Sequence, residues 1–217
     1  MEYTGISMID FCPDKIREKL ILGLPGVSGQ QKMAPSVRFS GDHLPDPELS
    51  RQSSVLILLF PQNGSWGTVL IERTLFGPHA GQICFPGGKQ DHDDQSELLT
   101  ALREANEEVG VKQDSIKILG QLSKLFVPNS NFWISPFIAW VDFVPDWQPN
   151  PSEVKSIITV TLPDLFDDLN KKRKTLSRNG VHINAPYYDI HGHMVWGATA
   201  MIISEFETLL KRNTPIS

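Results

Sequence analysis

The residues with the clearest chemical potential are three glutamates within the segment 103–111, which reads Arg-Glu-Ala-Asn-Glu-Glu-Val-Gly-Val. On a helix, with about 100° of rotation per residue, Glu104, Glu107 and Glu108 fall on one stripe at spacings i, i+3 and i+4. Carboxylates this close repel one another unless a cation lies among them. Mg²⁺ or Mn²⁺ would suit the stripe, because both ions prefer carboxylate oxygens and Mg²⁺ also binds substrate phosphates. The alternative interpretation is a solvated acidic helix face, which is common on protein surfaces.

Two neighbouring features favour the metal interpretation. Arg103 lies next to Glu104, so its guanidinium can brace a carboxylate through paired hydrogen bonds. Upstream, Gly87-Gly88-Lys89 offers backbone without Cβ atoms at its two glycines, and such backbone can pass close to a metal ion and to phosphates. Gly88 is therefore counted among the candidate metal-site residues, and Lys89 is either a phosphate contact or an exposed lysine.

The pattern of apolar residues predicts the elements that position these groups. The predicted helices are Asp14–Leu24, Glu97–Val109, Pro163–Lys174 and Trp196–Arg212. The predicted strands are Ser54–Phe60, Thr68–Arg73, Ile116–Leu122, Phe137–Val144 and Ile157–Val160. Residues 27–50 are interpreted as an irregular connector, and Gly77–Gly88 as a structured loop. Strands separated by helices favour an α/β or α+β layered domain, which we place at residues 51–217, after an N-terminal helix and connector at 1–50.

Composition limits the classes of partner. The chain has 217 residues and a formal net charge of -5, which argues against a nucleic-acid polymer as partner. Its two cysteines are interpreted as reduced thiols. No apolar run approaches the roughly 18 residues of a membrane span, and the first residues lack the pattern of a signal peptide. We therefore expect a cytoplasmic protein without a membrane partner.

The segment 103–111 resembles the second half of the Nudix box, and the glycine start of that box lies upstream in the expected neighbourhood. The resemblance implies an α/β fold, a Nudix-like α/β/α sandwich with a mixed sheet. It also implies that Glu104, Glu107 and Glu108 bind Mg²⁺ or Mn²⁺ and that water attacks a diphosphate phosphorus with the help of the metal.

Several Nudix enzymes also bring a glutamate from a loop to the metal site, as base or ligand. Glu153 is the candidate here, because it ends the polar segment 150–153 just before an apolar strand. The alternative is a solvated loop acid. The base that takes the proton from water is accordingly Glu107 or Glu153, and the candidate catalytic residues are Arg103, Glu104, Glu107 and Glu153.

The box departs from its usual length, because Gly88 to Arg103 is one residue too long. The glutamate position in the first half of the box therefore falls on Asp94 when counted from Gly88, or on Gln95 when counted from Arg103. That glutamate is mainly a structural brace in the family, so its replacement need not abolish metal binding. The lengthened box resembles the coenzyme A diphosphatase branch of the family. So do a Gly-Gln-x-x-Phe-Pro-Gly-Gly lead-in at residues 81–88 and a Trp-Gly-Ala-Thr tail at residues 196–199.

This resemblance implies coenzyme A or acyl-coenzyme A as substrate, with 3′,5′-adenosine bisphosphate and a (acyl-)phosphopantetheine as products. The arginine signature of that branch is present only in its first position, and His79 is the nearest substitute for the missing second arginine. The candidate substrate-binding residues are Arg73, His79, Gly81, Gln82, Gly87 and Lys89. Alternatives are another nucleotide substrate, such as ADP-ribose, a nucleotide sugar or a nucleoside triphosphate, and a ligand sensor without catalysis. A homodimer is compatible with the sequence.

Overall fold

Groups of strands are separated by helices along the chain, as the apolar pattern predicts. The structure, a computed structural model, describes residues 12–36, 45–75, 80–178 and 180–212. The helices are α1 Pro13–Ile21, α2 Val27–Gln30, α3 Glu97–Val109, α4 Leu162–Leu165 and α5 Ala198–Lys211. Within the described residues, no helix has the length and apolar character needed to cross a membrane. The strands of the main sheet are β1 Arg51–Gln62, β2 Ser65–Arg73, β3 Ile83–Cys84, β4 Gly87–Lys89, β5 Lys117–Gln121, β6 Leu125–Val127, β7 Phe132–Trp140 and β8 Val154–Thr161.

Strand β1 lies at the centre of the main sheet. It runs parallel to β7 and antiparallel to β2, so the sheet is mixed. β8 borders β2 on its far side, and β5 and β6 border β7. β1 and β2 pair with each other only beside their turn, through residues 59–62 and 65–68. Beyond that point they separate, and β4 pairs with β1 while β3 pairs with β2.

The pleat of β1 divides the core into two layers, because successive side chains point to opposite faces of a strand. Leu56 and Leu58 are fully buried and belong to the layer that contains Ala105 of α3. Ile57 is buried in the other layer, together with Phe206 of α5. The sheet therefore lies between α3 and α5, and the α/β/α sandwich with a mixed sheet is confirmed.

Several segments differ from what the sequence predicts. The strand predicted at Phe137–Val144 is β7, which runs from Phe132 to Trp140, and the loop predicted at Gly77–Gly88 contains β3 and the first residues of β4. The predicted helix Pro163–Lys174 is wrong beyond its first turn, since α4 ends at Leu165 and the lysine-rich segment that follows enters a strand. That segment pairs in an antiparallel second sheet, formed by β9 Lys171–Arg178, β10 Val181–Ile190 and β11 His193–Trp196. The connector predicted at 27–50 is not irregular throughout, because it contains α2 and a 3-10 turn at Gln31–Met33.

Glu205 of α5 joins the N-terminal segment to the sheet. Its carboxylate is fully buried and accepts hydrogen bonds from the N–H of Gly26 at 3.1 Å, from Nε2 of Gln30 at 2.8 Å and from the N–H of Ser123 at 3.2 Å. A buried carboxylate is tolerated only when donors compensate it. These three donors therefore fix α2 and the loop after β5 against α5.

Candidate metal centre

Helix α3 carries the acidic residues, and both of its ends are capped. Ser96 caps the first turn, where its Oγ accepts a hydrogen bond from the N–H of Leu99 at 3.2 Å. Gly110 ends the helix in the left-handed conformation, with a φ of 78°. Ala105 and Val109 are fully buried against the sheet. The caps and this buried face fix where the glutamates of the helix lie.

Three carboxylates from two elements converge at one end of α3. Glu104 and Glu108 belong to the helix, and Glu153 directly precedes β8; the three offer oxygens that lie within 4.8 Å of one another. The backbone holds Glu153 in place, because its carbonyl accepts a hydrogen bond from the N–H of Thr74 at 2.9 Å. Such a set could hold a divalent metal ion, whose charge would offset the mutual repulsion.

Glu108 is the most enclosed of the three. Its side chain has no solvent exposure, and its two oxygens accept hydrogen bonds from the N–H of Gly87 at 2.8 Å and from Nη1 of Arg73 at 2.9 Å. Burial raises the pKa of Glu108 to about 7, against the opposing effects of these two partners. Burial is also the main cause of the raised pKa of Glu104. Burial thus disfavours the charged forms of both acids, and a bound cation would compensate for this.

Arg103 ties α3 to the loop that precedes it. Its Nε and Nη2 donate to the two oxygens of Asp94 at 3.0 and 2.8 Å, which is a bidentate pair. Its Nη1 donates to Glu104 at 3.0 Å and to Glu107 at 3.1 Å. The guanidinium holds the pKa of Asp94 well below its usual range. Arg103 therefore donates hydrogen bonds to three carboxylates at once, and one of them belongs to the cluster.

Asp94 is the residue that pairs with Arg103 at the brace position, which sequence reasoning leaves open between Asp94 and Gln95. Its carboxylate accepts hydrogen bonds from Thr100 Oγ1 and from the N–H of Asp91, both at 2.9 Å, besides those from Arg103. The lengthened box hides this role, because counting from its two ends gives different residues at the brace position. The count from Gly88 is the signal that leads to Asp94.

The two glycines of β4 leave the space that the cluster requires. Gly87 has a φ of 153°, and a Cβ there would lie 2.2 Å from the carbonyl oxygen of Ser54. A Cβ at Gly88 would lie 2.3 Å from Cδ of Glu104. The strand therefore passes directly against the carboxylates. The three carboxylates beside this strand offer oxygen ligands, which are the ligands that a small divalent ion such as Mg²⁺ or Mn²⁺ prefers.

Glu107 and Arg73 are predicted site residues that are not members of the carboxylate cluster. Glu107 is about half exposed and is held by Arg103, and the set of mutually close carboxylates found among the described residues does not include it. Arg73 lies at the end of β2, where it is paired with Glu108. Their predicted roles, as metal ligand or base and as substrate contact, stay predictions.

The remaining substrate candidates follow the end of β2. The N–H of Gly81 donates to the carbonyls of Arg73 and Thr74, and the carbonyl of Gln82 accepts from the N–H of Arg73 at 3.0 Å. Lys89 has an exposed side chain, and its carbonyl accepts from Arg103. The sixth candidate, the histidine at position 79, lies outside the described residues.

Comparison with known proteins gives a consistent family. The model of the NUDIX domain matches residues 50–179. A protein of Photorhabdus laumondii named uncharacterized Nudix hydrolase NudL is 35% identical over 127 residues, which cover 58% of this chain and 67% of that protein. The protein of the same name from Yersinia pestis is 34% identical over 125 residues, covering 58% of this chain and 62% of the relative.

One solved structure with this architecture is a MutT/nudix family protein from Enterococcus faecalis. It is 20% identical in sequence, with a TM-score of 0.49 over 79% of this chain and 66% of that chain. The alignments to the two curated relatives span about two thirds of their lengths, 67% and 62%. Because the domain model covers more than half of the sequence, the chain belongs to the Nudix hydrolase family.

Proposed function

We propose that the chain cleaves the diphosphate bond of a nucleoside diphosphate derivative, with Mg²⁺ or Mn²⁺ held by Glu104, Glu108 and Glu153. The observation that carries this proposal is the convergence of these carboxylates within 4.8 Å of one another. When bound, a divalent cation neutralises charge that develops on the phosphate oxygens and acidifies water. We assign the activity to residues 51–217. A cytoplasmic location and a homodimer stay predictions from the sequence.

The residues of the chain would divide the remaining work among them. Arg103 fixes the rotamer of Glu104 through its hydrogen bond of 3.0 Å. Glu153 is our first candidate for the base, through the carboxylate oxygen that would not bind the metal, because its side chain is 41% exposed and yet lies within the cluster. Glu107 is the second candidate, and its carboxylate is engaged with Arg103. A base must lie within hydrogen-bond reach of the water proton that it accepts.

We further propose coenzyme A or an acyl-coenzyme A as the substrate. The lead-in and the tail that resemble the coenzyme A diphosphatase branch are more than a hundred residues apart, yet they contact each other: Oγ1 of Thr199 donates to the carbonyl of Ile83 at 3.1 Å. The lead-in continues directly into Gly87 and Gly88 beside the carboxylates. This contact supports treating the two segments as parts of one site.

The test is a substrate panel with the purified chain and added Mg²⁺ or Mn²⁺. Coenzyme A, acetyl-coenzyme A, ADP-ribose, a nucleotide sugar and a nucleoside triphosphate would be incubated separately, and products resolved by chromatography. We expect 3′,5′-adenosine bisphosphate from coenzyme A, and no product after chelation of the metal. A Glu104→Gln variant controls for contaminating hydrolases. Binding of a nucleotide without turnover of any substrate would instead indicate a ligand sensor and would contradict the proposal.

A further inference from the structure

The guanidinium of Arg73 points toward the carboxylate cluster. Nη1 lies 2.9 Å from Oε1 of Glu108 and 3.5 Å from the carbonyl oxygen of Gly87, and Nη2 lies 3.8 Å from Oε2 of Glu153. The side chain is 29% exposed. Arg73 therefore contacts two of the three carboxylates and the glycine strand that borders them.

Glu108 depends on this contact for its orientation. The carboxylate is fully buried, and one of its oxygens is held by the N–H of Gly87. The other oxygen is held by Arg73. A buried carboxylate that loses its cationic partner is strongly destabilised, so replacement of Arg73 would leave one oxygen of Glu108 free to turn. The glycine N–H alone cannot fix both oxygens.

Two arginines share the carboxylates of the cluster. Arg103 pairs with Glu104, whereas Arg73 is the arginine that lies against Glu108 and Glu153. If Arg73 instead turned outward to bind a substrate phosphate, Glu108 would lose its partner. The N–H groups of an arginine form a fixed fork, and here one edge of that fork is directed at protein acceptors.

We propose that Arg73 is a positioning residue that holds Glu108 and Glu153 in the geometry that binds the metal ion, and that it does not bind substrate. The inference rests on the proposed function, because it takes Glu108 and Glu153 as ligands. It reassigns the residue that the family resemblance places among the substrate contacts.

Direct metal binding separates the two roles. Binding of Mn²⁺ to the full chain would be measured by electron paramagnetic resonance without substrate, for wild type, Arg73→Lys and Arg73→Gln. We expect the Kd for Mn²⁺ to rise at least about tenfold in Arg73→Gln, because the carboxylate loses its cationic partner. A smaller rise is expected in Arg73→Lys, which keeps the charge and loses the planar fork. Arg51→Gln is the control, since Arg51 lies on the neighbouring strand and stacks on Phe132; its Kd should equal that of wild type.

The kinetic constants provide the second readout. We expect kcat at fixed Mn²⁺ to fall in both Arg73 variants, while KM for coenzyme A at saturating Mn²⁺ changes less than about threefold. Unchanged Mn²⁺ affinity with a raised KM would assign Arg73 to substrate binding and overturn the inference alone. Absence of Mn²⁺ binding by the wild type would overturn the proposed function as well. Thermal unfolding checks that the variants fold. If Arg73→Gln does not fold, the Mn²⁺ affinity and the kinetic constants of Arg73→Lys test the role of Arg73.

Discussion

Arg103 donates hydrogen bonds to several carboxylates. It connects Asp94, which precedes α3, to Glu104 and Glu107 within the helix. The planar fork is essential to this arrangement, because two parallel hydrogen bonds join it to the two oxygens of Asp94. At the scale of single residues, the site is therefore a network in which each glutamate has an assigned cationic or backbone partner.

The first prediction concerns the pair of Arg103 and Asp94. Arg103→Lys and Asp94→Asn should each lower kcat by about tenfold or more and weaken the apparent affinity for Mg²⁺, because a charge-assisted hydrogen bond is worth roughly 1.5–3 kcal/mol. KM for substrate should change less. Since both variants break the same pair, the double variant should lose little more than either single one. Steady-state kinetics over a Mg²⁺ titration measures this. Additive losses would show that the two residues act separately.

The second prediction separates the glutamates. Glu104→Gln and Glu153→Gln should each reduce kcat at least about a hundredfold at saturating Mg²⁺, the lower range of general acid–base effects. Both carboxylates lie in the cluster, whereas Glu107 is held outside it by Arg103. Glu107→Gln should therefore cost less than either. Rapid-quench or steady-state turnover of the three variants decides the order, and a largest loss in Glu107→Gln would make Glu107 the base.

Helical periodicity indicates a candidate metal site on α3, but it does not choose among the glutamates of the helix. Glu104, Glu107 and Glu108 share a stripe, and the choice depends on where the segment before β8 brings Glu153. Spacing likewise leaves the brace position open between Asp94 and Gln95, and the choice depends on the preceding loop, which brings Asp94 to Arg103. Contacts within one helix follow from sequence, whereas contacts between elements require the tertiary structure.

At the scale of elements, the glycine strand β4 provides the third prediction. Gly88→Ala should leave the melting temperature nearly unchanged, because its Cβ would meet the flexible end of Glu104, but it should abolish Mn²⁺ binding by displacing that carboxylate. Gly87→Ala should destabilise the protein by more than about 1 kcal/mol, since its φ is positive and its Cβ would meet backbone. Calorimetry and Mn²⁺ titration of this matched pair test both statements. Equal metal affinity in Gly88→Ala and wild type would contradict them.

The sequence predicts elements that have capping residues or a regular apolar pattern, and it misses elements that have neither. Helix α3 begins and ends where the sequence predicts, because Ser96 and Gly110 are strong capping residues. Strand β9 was missed because its lysine-rich sequence has no alternation of apolar and polar residues, so only its pairing with β10 defines it. The sequence between Pro163 and Lys174 therefore predicts a charged helix, whereas its last residues belong to β9.

At the scale of the whole molecule, segments that are far apart in the sequence contact each other around the glycine strand β4. This contact leads to a prediction about substrate selectivity. We expect a higher kcat/KM for coenzyme A than for ADP-ribose, because the lead-in and the tail of the coenzyme A branch are in contact. The preference for coenzyme A over dephospho-coenzyme A should stay below about tenfold, since the signature lacks its second arginine and a charge-assisted phosphate contact is worth roughly 1.5–3 kcal/mol. Competition assays with the three compounds measure these ratios. Faster turnover of ADP-ribose than of coenzyme A would contradict the coenzyme A proposal. Only the proposal of a diphosphatase for a nucleoside diphosphate derivative would then remain.

The separation of β1 and β2 beyond their turn has a consequence for the aggregation of the purified protein. β4 and β3 occupy the gap between these strands, so the segment that borders the carboxylate cluster also satisfies their backbone hydrogen bonds. If the segment of β3 and β4 detaches, Val55 of β1 loses its pairing with Gly87 and Ile71 of β2 loses its pairing with Cys84. Strand edges left unpaired in this way are templates for aggregation. Variants that loosen β4, Gly87→Ala among them, should therefore precipitate on mild heating well before the sandwich itself unfolds, and light scattering should rise before the helical signal is lost.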